Sequence, residues 1–171
     1  VSVTGAWPTG WQALGYTEQG SEFDFGPTVA QVMVEEELYA IKNVITGYSA
    51  KLTFILDELT RTNLALALNA GIGSGVVSSS QGTNADGSLW QETPTPGQEV
   101  SVMLGWDSLQ LGATSPSGTD AFQRLIIRQA LQDAPVKTVH RKGNANVNYS
   151  TTWSAQKPFT GLSPFRFISE A

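Results

Sequence analysis

The side chains of this 171-residue chain that could carry chemistry are five tryptophans, one histidine and a run of three glutamates. There is no cysteine, which excludes thiolate metal sites, iron–sulfur clusters, disulfides and cysteine nucleophiles. One histidine is too few for the usual imidazole metal sites within a single chain. His140 lies among Lys137, Arg141 and Lys142, which disfavour its protonated form, so we interpret it as a turn residue. We therefore expect no metal and no cofactor.

Three short patterns resemble known sites but miss the spacing that those sites require. Residues 71–75 (GIGSG) lack the third glycine of a nucleotide loop and the spacing of a nucleophile elbow, which favours a helix exit. Residues 84–88 (NADGS) begin like a calcium loop, but Leu89 and Thr95 stand where glycine and a carboxylate belong, so we predict a hairpin turn. Asn148-Tyr149-Ser150 matches a glycosylation sequon, inside a predicted strand. A hydrolase would rest only on the availability of serines, His140 and acids, so we predict that the chain is not an enzyme.

The composition favours a β-rich protein that does not grip nucleic acid. Charged residues make up 15% of the chain, against about 25% in an ordinary soluble domain, while glycine (17) and proline (8) are frequent. The net charge of −5 disfavours binding to phosphates, and the apolar runs are too short for a membrane span. Residues 1–60 carry a net charge of −6 and residues 61–171 a net charge of +1. These halves could meet head to tail between copies, although a solvated surface explains the asymmetry about as well.

The first 57 residues indicate an arm and two strands. Residues 1–20 are rich in glycine and proline and predict an extended N-terminal arm, with Trp7 and Trp11 as anchors. Alternation predicts a strand at Ser21–Phe25, continued less cleanly over 29–35, and a better strand over 51–57. Residues 35–50 lie between them as a long inter-strand segment, either an elongated hairpin or a projecting loop.

The rest of the chain predicts one helix and further strands. Thr60 can cap a helix over 60–70 that ends near Gly71, where a left-handed residue belongs. Further strands are predicted at 76–80, 88–92, 100–106, 122–130, 136–141 and 146–155. The last two form the clearest hairpin, and the final strand has one face that is polar without any charge. We predict a single domain over 1–171 with an antiparallel β-sandwich and one flanking α-helix.

In its layout the chain resembles the major tail tube proteins of long-tailed (siphovirus-type) bacteriophages, particularly the actinobacteriophage-like ones. The opening residues 11–20 (WQALGYTEQG), the long strand–loop–strand over 29–56 and the helix directly after it carry the resemblance. The closing hairpin, which ends in Trp153-Ser154-Ala155, also fits. The resemblance covers essentially the whole chain.

This resemblance implies a structural virion protein whose subunits form hexameric rings that stack into a hollow tail tube. In that family the inner sheets of six subunits join into a β-barrel, and the long loop and terminal arms bridge successive rings. The implied partners are further copies, the tape measure protein, the tail terminator and the distal tail or baseplate proteins; no membrane is involved. DNA would pass through the lumen without specific binding. The implied location is the virion, and the host cytoplasm during assembly. The residues expected at inter-ring or lumen contacts are Glu35, Glu36, Glu37, Lys42, Trp7 and Trp11.

Two alternatives stay open. Tryptophans with many Asn and Gln side chains could form a sugar platform, which would make the chain a carbohydrate-binding β-sandwich module. The three glutamates could be a solvated hairpin tip rather than a contact surface.

Overall fold

Nine strands and one helix make up the described part of the fold. The computed structural model describes residues 6–33, 39, 41–58, 60–72, 76, 81–109, 121–139, 148–159 and 161–169. In chain order the elements are β1 (Thr17–Val32), β2 (Lys42–Leu56), α1 (Arg61–Ala67), β3 (Gln81–Thr83), β4 (Leu89–Gln91), β5 (Val102–Leu109), β6 (Ala121–Gln132), β7 (Lys137–Val139), β8 (Asn148–Ala155) and β9 (Phe165–Ser169).

Seven of the strands belong to one antiparallel sheet. The hydrogen-bonded order is β1-β2-β8-β6-β5, with β7 also paired to β8 and β9 also paired to β6. β3 and β4 form a separate two-stranded hairpin. The mainly-β, antiparallel character and the single helix of the described chain agree with the prediction.

The sheet folds back on itself, because strands that share no hydrogen bonds are in side-chain contact. The ring of Phe23 on β1 lies 5.2 Å from that of Phe165 on β9, and Phe54 on β2 lies 5.9 Å from Trp106 on β5. The core between the two parts of the sheet contains Leu56, Ile127 and Trp153, each fully buried. Removing these apolar side chains from water stabilises this sandwich-like arrangement.

The β1–β2 hairpin is longer than predicted. Residues 42–50, which were assigned to the long inter-strand segment, belong to β2, and residues 17–20 of the expected arm belong to β1. The elongated-hairpin alternative therefore describes these residues. β1 pairs with β2 from Thr17↔Leu56 to Val32↔Lys42, with irregularities after Glu18 and after Thr28. Gly26, Pro27 and these two irregularities obscured the alternation of side chains, which therefore predicted shorter strands.

The predicted helix forms but ends earlier than expected. Thr60 is the N-cap, and its hydroxyl oxygen accepts a 3.1 Å hydrogen bond from the Asn63 backbone N–H. The helix ends in a Schellman motif centred on Asn69, whose φ is 58°, rather than on Gly71. In this motif the Asn69 N–H bonds to Leu66 and the Ala70 N–H bonds to Ala65. An asparagine can take the left-handed conformation that usually marks glycine. No helix of the described residues is long and apolar enough to cross a bilayer.

The remaining strands agree in part with the prediction. The hairpin of β7 with β8 is confirmed, with Lys137 opposite Ser150. β4 pairs instead with residues 81–83, which were expected in a turn; of the predicted strand at 76–80, residues 77–80 lie outside the described residues. β9 was not predicted. β9 is only five residues long and pairs with Gln123–Ile127 of β6, about 40 residues earlier in the chain, so its formation depends on a long-range contact.

β8 is the central strand, and its uncharged polar face makes contacts inside this chain. The Thr152 hydroxyl lies 3.1 Å from that of Thr53 on β2, and the Ser154 hydroxyl donates a 2.6 Å hydrogen bond to Asp133. Lys51 lies 3.1 Å from the same carboxylate. Burial raises the pKa of Asp133, but the bonds from Ser154 and Lys51 together outweigh burial and hold the pKa below its usual value. This link is therefore present above the unfolded pKa of the carboxyl and is lost as the pH falls through the lower, folded pKa.

We predict that Leu56→Ala lowers the free energy of unfolding by about 2–5 kcal/mol, because it leaves a cavity in the core. The matched control is Leu89→Ala on β4. The Leu89 side chain is 59% exposed, and the expected change is within about 0.5 kcal/mol. Urea unfolding of dilute protein, followed by circular dichroism, measures both. Equal effects of the two substitutions would show that the core is placed wrongly.

Candidate functional site

The N-terminal segment 6–16, called the strap below, brings the two predicted tryptophan anchors together. The rings of Trp7 and Trp11 lie 4.4 Å apart between centroids, at an angle of 47°. Both rings rest on Gly105 of β5: a Cβ atom there would lie 2.3 Å from the Trp7 ring and 2.8 Å from the Trp11 ring. No larger residue fits beneath the two indoles without displacing them. Gly105 is therefore part of the site, although nothing in its sequence context indicated this.

A buried ion pair lies beside the tryptophans. Arg124 on β6 donates from Nε to Asp107 Oδ1 at 2.6 Å and from Nη2 to Oδ2 at 2.8 Å. The Arg124 side chain is fully buried, and the Asp107 side chain is 14% exposed. The two residues are cross-strand partners in the β5–β6 register, so the fold itself sets their distance. A two-point contact of this kind is the geometry in which a guanidinium binds a carboxylate most strongly.

Trp7 completes the site from outside the sheet. Its indole Nε1 donates a 2.9 Å hydrogen bond to Asp107 Oδ2, and its ring lies 4.0 Å from Arg124 Cζ. The indole N–H thus satisfies a further hydrogen-bond acceptor position of the Asp107 carboxylate, and the π face of the ring covers the Arg124 guanidinium. The first end of the strap therefore packs directly on the ion pair.

The other end of the strap is held near the start of α1. The Leu14 carbonyl accepts a 2.9 Å hydrogen bond from Asn63 Nδ2, and the Asn63 side chain is almost fully buried. The Tyr16 N–H donates to Glu58 Oε1 at 3.1 Å. Gly15, between them, has a φ of 85° and lies against the Glu58 carboxylate, where a Cβ would collide. These contacts attach the strap at its second end.

Between its two attachments the strap crosses the outer edge of β5. Leu104 and Trp106 face the core, so Gly105 faces the opposite side of the sheet, where Trp7 and Trp11 lie. Leu14, in contrast, packs against the core. A groove of about 1080 Å³ separates the strap from β5 and the residues just before it. Its wall is mostly apolar and includes Leu66, Ile72, Val100, Val102, Met103 and Leu104.

The outer half of the β1–β2 hairpin is a second surface of note. The side chains of β2 alternate between buried and less buried from Ala50 onward, whereas residues 42–46, 48 and 49 are exposed on both faces. Tyr48 and Phe25 stack at 5.7 Å on the face that continues the core, and Ile45 lies opposite Val29 just beyond the irregularity after Thr28. The large apolar residues exposed on and around this part of the hairpin are Phe25, Val29, Val32, Met33, Tyr39, Ile41, Val44, Ile45 and Tyr48.

The predicted contact residues fall into three groups. Trp7 and Trp11 meet in the strap, while Lys42 is the exposed first residue of β2, opposite Val32 at the far end of the hairpin. Lys42 and the tryptophans therefore do not form a single site. Glu35, Glu36 and Glu37 lie outside the described residues.

Sequence reasoning did not find Gly105, Asp107 or Arg124. The only signal for the ion pair was one acid and one base on neighbouring predicted strands. Without the register that signal does not distinguish a pair from two solvated charges.

Little acid–base or metal chemistry is available in the described parts of the chain. No group of three or more His, Cys, Asp and Glu side chains converges there. Asp86 accepts hydrogen bonds from the Ser88 hydroxyl and N–H, which lower its pKa, so it serves the predicted hairpin turn. Asn148, in the sequon pattern, is buried and donates to Glu18. His140 lies outside the described residues. The two surfaces described above can act by burying apolar area.

No known protein family matches this chain, and no curated protein sequence matches it either. The geometry of the strap and of the hairpin therefore carries the functional argument.

We predict that Asp107→Ala lowers the free energy of unfolding by about 3–5 kcal/mol, because it leaves Arg124 buried without its carboxylate. Lys51→Ala removes an exposed ion pair and should cost at most about 1 kcal/mol. Denaturant unfolding of both variants at low concentration gives the comparison. A loss at Asp107 no larger than that at Lys51 would contradict the role given to the buried pair.

Proposed function

We propose that this chain is a structural, self-assembling protein: the major subunit of a long-tailed bacteriophage tail tube. Six copies would form a ring, and rings would stack into a hollow tube around the tape measure protein. The tube would be closed by terminator and distal tail proteins and would conduct DNA without binding it. The observation that carries the proposal is the apolar outer half of the β1–β2 hairpin.

We do not expect the outer half of the hairpin to be stable with both of its faces exposed to water. A two-stranded ribbon gains little stability in water unless one face is covered. Beyond Phe25, whose ring contacts that of Phe165 on β9, the described chain covers neither face of the outer half. Ile45 is 54% exposed and Tyr48 is 66% exposed, within one continuous group of apolar side chains. Exposed groups of this kind mark contact surfaces between proteins. A further copy of the chain, present at high local concentration in an assembly, is the partner we propose.

The edge of β1 supports the same conclusion. β1 is 16 residues long and forms one end of the described sheet order, so its outer edge has no strand partner among the described residues. Natural edge strands are usually short or carry charges that prevent pairing with other chains. From Phe25 to Met33 β1 and the residue after it contain no charged side chain, and Pro27 is the only residue that interrupts the edge. This edge is suited to pairing between copies.

The charge of the chain agrees with a conduit for DNA. A protein that neutralises phosphates releases counterions and holds the nucleic acid, which a conduit must avoid. The net charge of −5, with most of the acid in the first 60 residues, disfavours such binding. Only charges within about 8 Å of the passing DNA act strongly at physiological salt, so the position of each acid matters more than the total.

The carbohydrate-binding alternative has weaker support. A sugar platform needs an aromatic face that is open to the ligand. The Trp7 face is covered by Arg124 and its N–H is engaged by Asp107, while Trp90 lies against Gly82. Saturable binding of a glycan by a chain that stays monomeric would favour this alternative.

We predict that Val29→Lys with Ile45→Lys abolishes assembly while leaving the monomer folded. These two side chains are register partners on one exposed face, and charges there would repel an apolar partner. Leu89→Lys places the same charge on an exposed leucine of the separate β3–β4 hairpin and should assemble like the wild type. Sedimentation velocity gives the oligomeric state, and negative-stain microscopy shows whether tubes form. Tubes of normal length from the double variant would contradict the proposal, as would a wild-type chain that stays monomeric at millimolar concentration.

We also predict that Glu35→Lys with Glu36→Lys impairs assembly or slows DNA delivery, because it replaces acids with phosphate-binding cations. Phage particles carrying the variant are scored for tail length and for the rate of DNA release. Normal tails with a normal release rate would show that these glutamates are solvated surface only.

A further inference from the structure

We propose that the strap is a displaceable cover of the β5 edge, which holds back pairing of that edge with a second copy until the strap moves away. This inference rests on the self-assembly proposed above and adds its regulation. The main hydrogen-bonded path of the described sheet ends at β1 and β5, with the short strands β7 and β9 branching from β8 and β6. The β1 edge is open, whereas the β5 edge lies beneath the strap.

The strap covers this edge without using its backbone hydrogen-bonding groups. Among the described residues no backbone hydrogen bond joins residues 6–16 to β5, and β5 pairs with β6 alone. The strap instead passes over the edge with a groove of about 1080 Å³ between them. The unused N–H and C=O groups of the edge can therefore pair with another strand once the strap is displaced. A strap that was a permanent part of the sheet would pair with β5 as a further strand.

The attachment of the strap is suited to release. Its first end is held by the contacts of Trp7 and Trp11 with Gly105, by one hydrogen bond to Asp107 and by the stacking on Arg124. The Asp107–Arg124 pair does not depend on these contacts, because its two hydrogen bonds lie within the β5–β6 ladder. Lifting the strap therefore breaks the contacts of the two tryptophans with Gly105, one charged hydrogen bond and one cation–π contact, and it leaves the hydrogen bonds of the β5–β6 ladder intact.

The middle of the strap has the properties of a segment that can move as a unit. Pro8, Thr9, Gln12 and Ala13 are exposed, and within the strap the one described backbone hydrogen bond runs from the Trp11 N–H to the Pro8 carbonyl. Gly10 has a φ of 100°, and Gly15, at the second attachment, has a φ of 85°. Rotation at Gln12 and Ala13, which lie between Trp11 and the attachment at Leu14, would carry the tryptophans away from β5 while Leu14 and Tyr16 stay in place.

The occupant we infer for the uncovered edge is the β1 edge of a second copy. β1 is the open end of the same sheet, and its uncharged stretch from Phe25 to Val32 is as long as the eight residues of β5. Pairing of one end of the sheet with the other end in the next copy is a head-to-tail contact, which propagates from copy to copy. The strap then prevents this contact in the monomer.

The test compares Trp7→Ala and a chain that lacks residues 1–11 with the wild type. Both changes release the first end of the strap, and the deletion also removes Trp11 from the edge. Loss of the hydrogen bond and the cation–π contact should raise the open population at least about tenfold and shorten the lag before assembly. Trp90→Ala, in the separate β3–β4 hairpin, is the control and should keep the wild-type lag. Light scattering measures the lag, and amide hydrogen exchange of residues 102–106 in the monomer measures exposure of the edge.

The outcomes separate the inference from the proposed function. Faster exchange at residues 102–106 together with a shorter lag supports the cover. An unchanged or longer lag in a folded deletion variant overturns it, because the strap would then be irrelevant to assembly or part of the contact itself. In that case assembly of the wild type still supports the proposed function. Failure of every variant and of the wild type to assemble would refute both. If the deletion variant does not fold, as judged by circular dichroism, Trp7→Ala decides the case by the same criteria.

Discussion

The β1–β2 hairpin extends beyond the core that the described residues build, and the proposed assembly depends on that mismatch. A 16-residue strand spans about 50 Å, whereas the buried stretch of β2 begins only at Ala50. From Ser49 back to Lys42, no layer of the described chain covers the side chains of β2. The chain therefore places apolar residues where no described part of it buries them, and the buried contacts of this hairpin lie in its inner half.

Local signals predicted the elements whose determinants lie within a few residues. Thr60 capped the helix as expected, and the β7–β8 hairpin formed where alternation indicated it. The signals failed where conformation depends on distant residues. The pairing of β9 with β6 was invisible because the partner strand lies about 40 residues earlier in the chain. The true length of β1 was hidden because Gly26 and Pro27, which usually end strands, lie within an edge strand that tolerates them.

The strap site shows why the contacts themselves could not be predicted. Trp7 and Trp11 were expected to anchor the arm, and they do, but their partner Gly105 lies almost 100 residues later and is one of 17 glycines. The Asp107–Arg124 pair requires the β5–β6 register, and a slip by one residue would place the two charges on opposite faces. Sequence reasoning reached the right segment because tryptophans need burial. It could not identify the receiving surface, since that surface exists only after the sheet has formed.

The position of β8 in the chain has a consequence for biosynthesis. β8 joins β2 to β6 in the sheet, yet it begins only at Asn148. A ribosome that makes the chain from its N-terminus has released the whole β1–β2 hairpin long before β8 exists to pair with it. During that interval Leu52 and Phe54 of the nascent chain have neither their strand neighbour nor their core. Neighbouring nascent chains on one messenger RNA would present such hairpins to each other, so slow translation exposes this fold to aggregation before it can close.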